Sequence, residues 1–321
     1  MSRLMTWTLI IAVVLGLPAM LASLIGAFLV SPVGGAAGVV LGIAYTVVTV
    51  LLLRATPFWP PGVTGWWVIA SLSWGASVGM LAAGIAGLPW IDLAIAMNWE
   101  DSLASFGGAY PEEIGKGVGV AVILLAFRRL NRPWHGLATG ALVGLGFEVI
   151  ENILYGASLA TLHVNSDLLG ALQTWGLRLV AGAFMHVIWT AFAGWGLGQA
   201  LFTAGRSLPW RAGVALGWLG VAFALHFGWN YLGGGEAWAL VRVVLISVVM
   251  YAVFIWLVIR AWRLARADHS YVATETPLTS LAQLPSRRAL PGGSAAAARM
   301  STGTPDSVGS GESEASRRML P

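Results

Sequence analysis

Pro111-Glu112-Glu113-Ile114-Gly115-Lys116 opens an apolar run that otherwise reads as a membrane span, so two carboxylates and an ammonium stand at the mouth of a helix. Lys116 is the only lysine in a chain whose Lys and Arg together number 18, so a general abundance of lysine does not explain it. Helical spacing does: it follows Glu113 by three residues and Glu112 by four, which sets all three head groups on one broad face. The surrounding 321 residues are 57% hydrophobic and 10% charged, with a mean hydropathy of +0.77. That much apolar surface has no soluble core to enter, and lipid is its natural solvent. Cysteine is absent, which excludes disulfides, thiolate metal sites and cysteine nucleophiles. The net charge of +4 comes from arginines outside the apolar runs, and speaks to membrane orientation rather than to nucleic acid.

Working outward, the pattern predicts an all-α, polytopic membrane bundle of about eight spans. These are Trp7–Val30, Gly34–Leu53, Trp66–Leu88, Pro111–Phe127, Trp134–Tyr155, Arg178–Ala204, Trp210–Leu232 and Ala237–Trp262. The first run is too long for a cleavable signal. Pro89–Tyr110 reads as a half-apolar loop that lies in the interface or re-enters. Residues 1–266 form the membrane domain, with a motif core at 111–230; from Ala267 to Pro321, Ser, Pro, Gly, Ala and Arg without periodicity predict a disordered cytoplasmic tail. One set of span ends collects Arg3, Arg54, Arg128, Arg129, Arg132, Arg206, Arg211, Arg260, Arg263 and Arg266, the other only Arg178 and Arg242. The positive-inside rule then puts both termini in the cytoplasm.

This topology gathers polar groups at one depth near the outer face. Glu112, Glu113 and Lys116 enter with one span, Glu148, Glu151 and Asn152 leave with the next, His186 comes inward, and His226 and Asn230 leave at a spacing of four. A lone His or Asn in a bundle is usually an interhelical hydrogen bond. An ionised group at membrane depth costs about 2.5–3.5 kcal/mol on insertion scales, so several together imply mutual pairing or a wet pocket. There a carboxylate can act as general base on water while Lys116 keeps its neighbour ionised. His and Asn can donate to an oxyanion, or two His and a Glu can hold a catalytic zinc. Peptide hydrolysis fits both versions; a proton-coupled transporter using the same Glu, Lys and His, or a non-catalytic scaffold binding a partner helix, remains open at this point.

Glu112-Glu113-x-x-Lys116, Phe147-x-x-x-Glu151-Asn152, His186 with Trp189, Gly194 and Gly198, and His226-x-x-Trp229-Asn230 follow one another on four successive spans. In these elements the chain resembles the PrsW-type intramembrane proteases, distant relatives of the CAAX prenyl endoproteases and bacteriocin-processing membrane proteins. The resemblance implies membrane-embedded proteolysis with Glu113 or Glu112 as base, His186 and His226 as oxyanion or metal partners, and Asn230 as an oxyanion donor. Lys116, Glu151 and Asn152 complete the catalytic set, and Glu151, His186 and His226 are the ligands if the enzyme holds zinc; family members have been described both as metalloproteases and as metal-free glutamic proteases. It further implies a single-span membrane protein as substrate, an anti-sigma factor being the best-known case, cut on its extracytoplasmic side. A lysine-poor, arginine-rich composition points to a GC-rich bacterial genome and hence to the bacterial cytoplasmic membrane.

Other motifs read as structural. Gly75-Ala76-Ser77-Val78-Gly79 satisfies Gly-x-Ser-x-Gly, but such small residues are also what close helix packing in lipid needs. No His-Glu-x-x-His occurs, which excludes a zincin of that type. His135 belongs to the opposite interface, His163 to a loop and His269 to the tail. Glu148 reads equally as a site residue and as an interhelical hydrogen-bonding group. Arg178 and Arg242 either neutralise pocket carboxylates or snorkel to headgroups.

Overall fold

Backbone polar groups away from water must pair within the chain, and each apolar run does so as a helix. The computed structural model describes residues 3–268; among them there is no strand. Helix α1 spans Arg3–Val30 and α2 Pro32–Arg54, where Ser31 Oγ accepts from Gly34 N and Pro32 starts the helix, an ordinary capped N-terminus. Helix α3 (Gly65–Ser73) runs through a π-helical segment, Trp74–Gly79, into α4 (Met80–Ala96). Then follow α5 (Tyr110–Ala126), α6 (Pro133–Ala160), α7 (Asp167–Ala181), α8 (Met185–Phe202), α9 (Leu208–Asn230) and α10 (Gly235–Ala267). The expected tail, beyond Asp268, and His269 lie outside the described residues.

Among the described residues, six helical runs are long and apolar enough to cross a membrane: α1, α2, α3–α4, α6, α9 and α10. The pair α7–α8, bent by 40°, makes a seventh. Helix α5 completes the eight-span reading, but at 17 residues, with Glu112, Glu113 and Lys116 in it, it is the short and charged one. Large apolar side chains such as Leu15, Val40, Leu216 and Leu240 turn outward, as a lipid-facing surface requires. The chain is a multi-pass membrane helix bundle.

Two segments differ from the sequence reading. The expected loop at 89–110 is mostly helical: α4 continues through Pro89 to Ala96, and a short 3₁₀ turn at Glu100–Ser102 leads to a π-helical segment, Ser105–Ala109, that runs straight into α5. Proline removes one hydrogen bond from a membrane helix without ending it, because neighbouring groups absorb the loss. The expected single helix at 178–204 is broken. Helix α7 ends at Gly182, and Phe184, at φ +62°, turns the chain before α8 starts.

Helix α6 is the pillar of the bundle, and every residue from Pro133 to Glu148 is buried. Its sequence allows this because Gly136, Gly140 and Gly144 form a stripe at every fourth residue. A Cβ on them would stand 2.1–2.2 Å from the carbonyl oxygens of Gly194, Thr190 and His186 on α8. Only glycine permits backbones this close, the small-residue packing that membrane helices use in place of a hydrophobic driving force. The stripe therefore fixes the height of His186 against α6, one turn from Glu148. Ser77 belongs to the same kind of packing: it is buried, gives its hydroxyl to Ser73 O at 2.5 Å, and packs where a Cβ on Gly16 would clash.

Candidate active site

The predicted polar groups of α5, α6, α8 and α9 meet around the ammonium of Lys116, which is fully buried. Lys116 Nζ lies 2.6 Å from Glu113 Oε1 and 3.5 Å from Glu112 Oε2, the helical pairing read from the spacing. It also stands 2.9 Å from His186 Nδ1 and 4.5 Å above the Phe147 ring. An ammonium only donates, so His186 Nδ1 accepts and its Nε2 carries the proton, which it gives to Glu151 Oε2 at 3.0 Å. Glu151 in turn receives Arg178, which also donates to Asn152 Oδ1. Arg178 thus neutralises a pocket carboxylate, reached from α7 across the bend. Three carboxylates, Glu112, Glu113 and Glu151, face two fixed cations.

The two adjacent glutamates differ in their surroundings. Glu113 is 1% exposed and its Oε1 receives both Lys116 and His226 Nδ1, the latter at 2.9 Å. Glu112 lines a cavity of about 420 Å³, and its Oε2 has no hydrogen-bond partner. His226 is held by the Glu113 bond and by stacking on Trp189, with centroids 4.3 Å apart at 15°. Its Nε2 faces Glu112 Oε2 at 3.9 Å. Asn230, one turn further along α9, lines the same cavity and gives a long 3.4 Å hydrogen bond to Ala104 O. Of the eight residues singled out in the sequence, Glu112, Glu151, His186, His226 and Asn230 line the cavity. Glu113, Lys116 and Asn152 lie behind its wall.

A family model, that of the PrsW family intramembrane metalloproteases, matches residues 64–258, more than half of the chain. The chain belongs to the PrsW family. The match contains every residue of the cavity, and with it the bundle is a membrane protease. No curated protein and no solved structure matches the chain.

The PrsW description names a metal, and the donors present suit one. Glu112, Glu113, His186 and His226 each offer an atom within 4.8 Å of the others, and Glu112 Oε2 and Glu113 Oε2 are buried acceptors with no hydrogen-bond partner. Carboxylate oxygen and imidazole nitrogen are ordinary zinc ligands. Glu151, part of the trio suggested by sequence, stands outside this group and is engaged by Arg178 and His186.

Sequence reasoning missed the opposite wall of the PrsW cavity. Gly108, in the π-helical segment before α5, lies against the cluster: a Cβ there would meet Asn230 Nδ2 at 3.0 Å and Glu112 Oε1 at 3.4 Å. π-Helical turns recur at functional sites, and Gly107-Gly108-Ala109, small residues just before the first motif, was the available signal. Tyr155 and Met185 also line it.

Proposed function

We propose that this PrsW-family chain hydrolyses a peptide bond of a membrane-anchored protein, with Glu112 as general base. The observation that carries it is the contrast between the two glutamates: each keeps one oxygen without a hydrogen bond, but Glu113 lies behind the wall with its other oxygen taken by Lys116 and His226, while Glu112, paired to Lys116 only at 3.5 Å, lines the cavity shared with His226 and Asn230. Water held between Glu112 Oε2 and His226 Nε2 loses a proton to Glu112 as its oxygen attacks the scissile carbonyl. The carbonyl oxygen, now an oxyanion, takes hydrogen bonds from Asn230 Nδ2. Glu112 then returns the proton to the leaving amine, which closes the proton balance. Glu113 holds His226 with Nδ1 as the donor, so that Nε2 faces the water as an acceptor. Lys116 offsets the charge of both glutamates, and Glu151 with Arg178 and Asn152 orients His186. If a divalent ion is resident, Glu112, Glu113 and His226 would hold it, and it would supply Lewis acidity and a more acidic water.

The arginine bias supports cytoplasmic termini with the cavity toward the outer leaflet, in a bacterial cytoplasmic membrane. It also supports residues 1–266 as the protease domain with 267–321 as a cytoplasmic tail. A single-span protein such as an anti-sigma factor, cut on its extracytoplasmic side, fits that placement. The test is a panel of single-span membrane proteins incubated with the purified protein in detergent, with and without chelator, alongside His226→Ala. Product that is lost in His226→Ala and survives chelation supports the metal-free form. Loss on chelation with rescue by zinc supports the metal form. Cleavage unaffected by His226→Ala contradicts both.

A further inference from the structure

Helix α8 carries His186 in its first turn, yet the residue that should cap it cannot do so. The N-cap is Phe184, which has no polar side chain and stands in a left-handed conformation, φ +62° and ψ +26°. The early N–H groups of a helix have no intrahelical acceptor and are normally met by a Ser, Thr, Asp or Asn at this position. Here the acceptor comes from another helix. Glu148 Oε2, from α6, takes the backbone N–H of His186 at 3.0 Å and of Val187 at 3.2 Å. Its Oε1 takes the hydroxyl of Tyr45, from α2, at 2.7 Å. The same tyrosine ring stacks on Phe184, centroids 5.2 Å apart at 20°, and so holds the left-handed turn itself.

We propose that Glu148, backed by Tyr45, is a positioning residue of the protease: it caps α8 from outside and thereby sets where the His186 imidazole stands between Lys116 and Glu151. The proposal rests on the proposed function above, in which Lys116 offsets both glutamates, and on His186 Nδ1 holding that ammonium at 2.9 Å. A carboxylate at a helix N-terminus is favoured by the exposed N–H groups and by the helix dipole, so Glu148 is satisfied at both oxygens although only 3% exposed. The glycine stripe sets the coarse height of α8 against α6, and Glu148 sets its first turn. No other described side chain is hydrogen-bonded to the N–H groups of His186 and Val187.

The experiment compares wild type with Glu148→Ala, Glu148→Gln, Glu148→Asp and Tyr45→Phe in detergent. Turnover and KM are measured per folded molecule, together with side-chain ¹⁵N spectra of histidine-labelled protein, the His186 signals being assigned by His186→Gln. Glu148→Ala is expected to lower kcat about 100-fold with KM within threefold and to shift the His186 ring resonances. Glu148→Gln, which keeps one acceptor oxygen, is expected to lose about tenfold, and Tyr45→Phe, which keeps the stack, about threefold. Wild-type kcat in folded Glu148→Ala, or unshifted His186 resonances, would overturn the proposal. Should Glu148→Ala not fold, the same reading is made on Glu148→Gln and Tyr45→Phe, and unshifted resonances in both overturn it. The spectra need no substrate, so a wild-type protein that cleaves nothing contradicts the peptidase reading and leaves the positioning question answered by the His186 shift alone.

Discussion

Helix α6 joins two buried charge clusters that are built for opposite ends. At its start, Arg132 is fully buried, its Nε pairs with Asp268 at 2.6 Å and its Nη1 donates to Asn131 O at 2.9 Å, while His135 Nδ1 accepts from Asn131 N at 3.0 Å. About five turns on, Glu112, Glu113 and Glu151 meet Lys116 and Arg178 around two histidines, and two carboxylate oxygens stay without hydrogen bonds. The first cluster is a lock between α10 and the start of α6. The second holds acceptors in reserve beside a cavity. Burial of charge alone therefore does not mark a catalytic centre; a cavity lined by the charged and imidazole groups does.

Three substitutions sharpen that contrast. Lys116→Met leaves two buried carboxylates without their cation, and breaking such a pair typically costs about 3–5 kcal/mol. It is expected to lower stability by that order and abolish turnover, checked by unfolding and cleavage on the same preparation. Arg132→Leu breaks the other lock, with a stability loss of about 3–5 kcal/mol at most, but turnover per folded molecule is expected within threefold of wild type. If it falls a hundredfold, the two clusters are not separate in function. Gly108→Ala adds one methyl facing Asn230 and Glu112 and is the smallest change. A roughly tenfold fall in kcat/KM with little change in unfolding is expected, since small misplacements at a reacting centre cost up to about 100-fold.

The polar half of the site was legible because helical spacing and an unusual residue type coincide: Glu112, Glu113 and Lys116, then Glu151 with Asn152, then His226 with Asn230. The bend between α7 and α8 was not, because a left-handed Phe184 is set by its stack on Tyr45 and by Glu148 behind it, contacts between residues more than a hundred positions apart. Arg178 was visible only as an exception to the charge rule, since its partner Glu151 comes from another helix. The half-apolar stretch at 89–110, with Asp92, Glu100 and Asp101, suggested a loop, yet lipid makes helix the favoured state for that backbone. The glycine stripe of α6 was written plainly in the sequence; its partner helix was not.

In the proposed reaction Glu112, and not merely the cluster, performs the chemistry. The most direct measurement is single-turnover cleavage of a single-span membrane substrate by wild type and Glu112→Gln, with thermal unfolding of both. A loss of about 10³-fold is expected, within the 10²–10⁴-fold range of general-base catalysis, with an unfolding temperature close to that of wild type, because Lys116 keeps its nearer partner Glu113 at 2.6 Å when Glu112 is made neutral. Cleavage by Glu112→Gln within tenfold of wild type would contradict it.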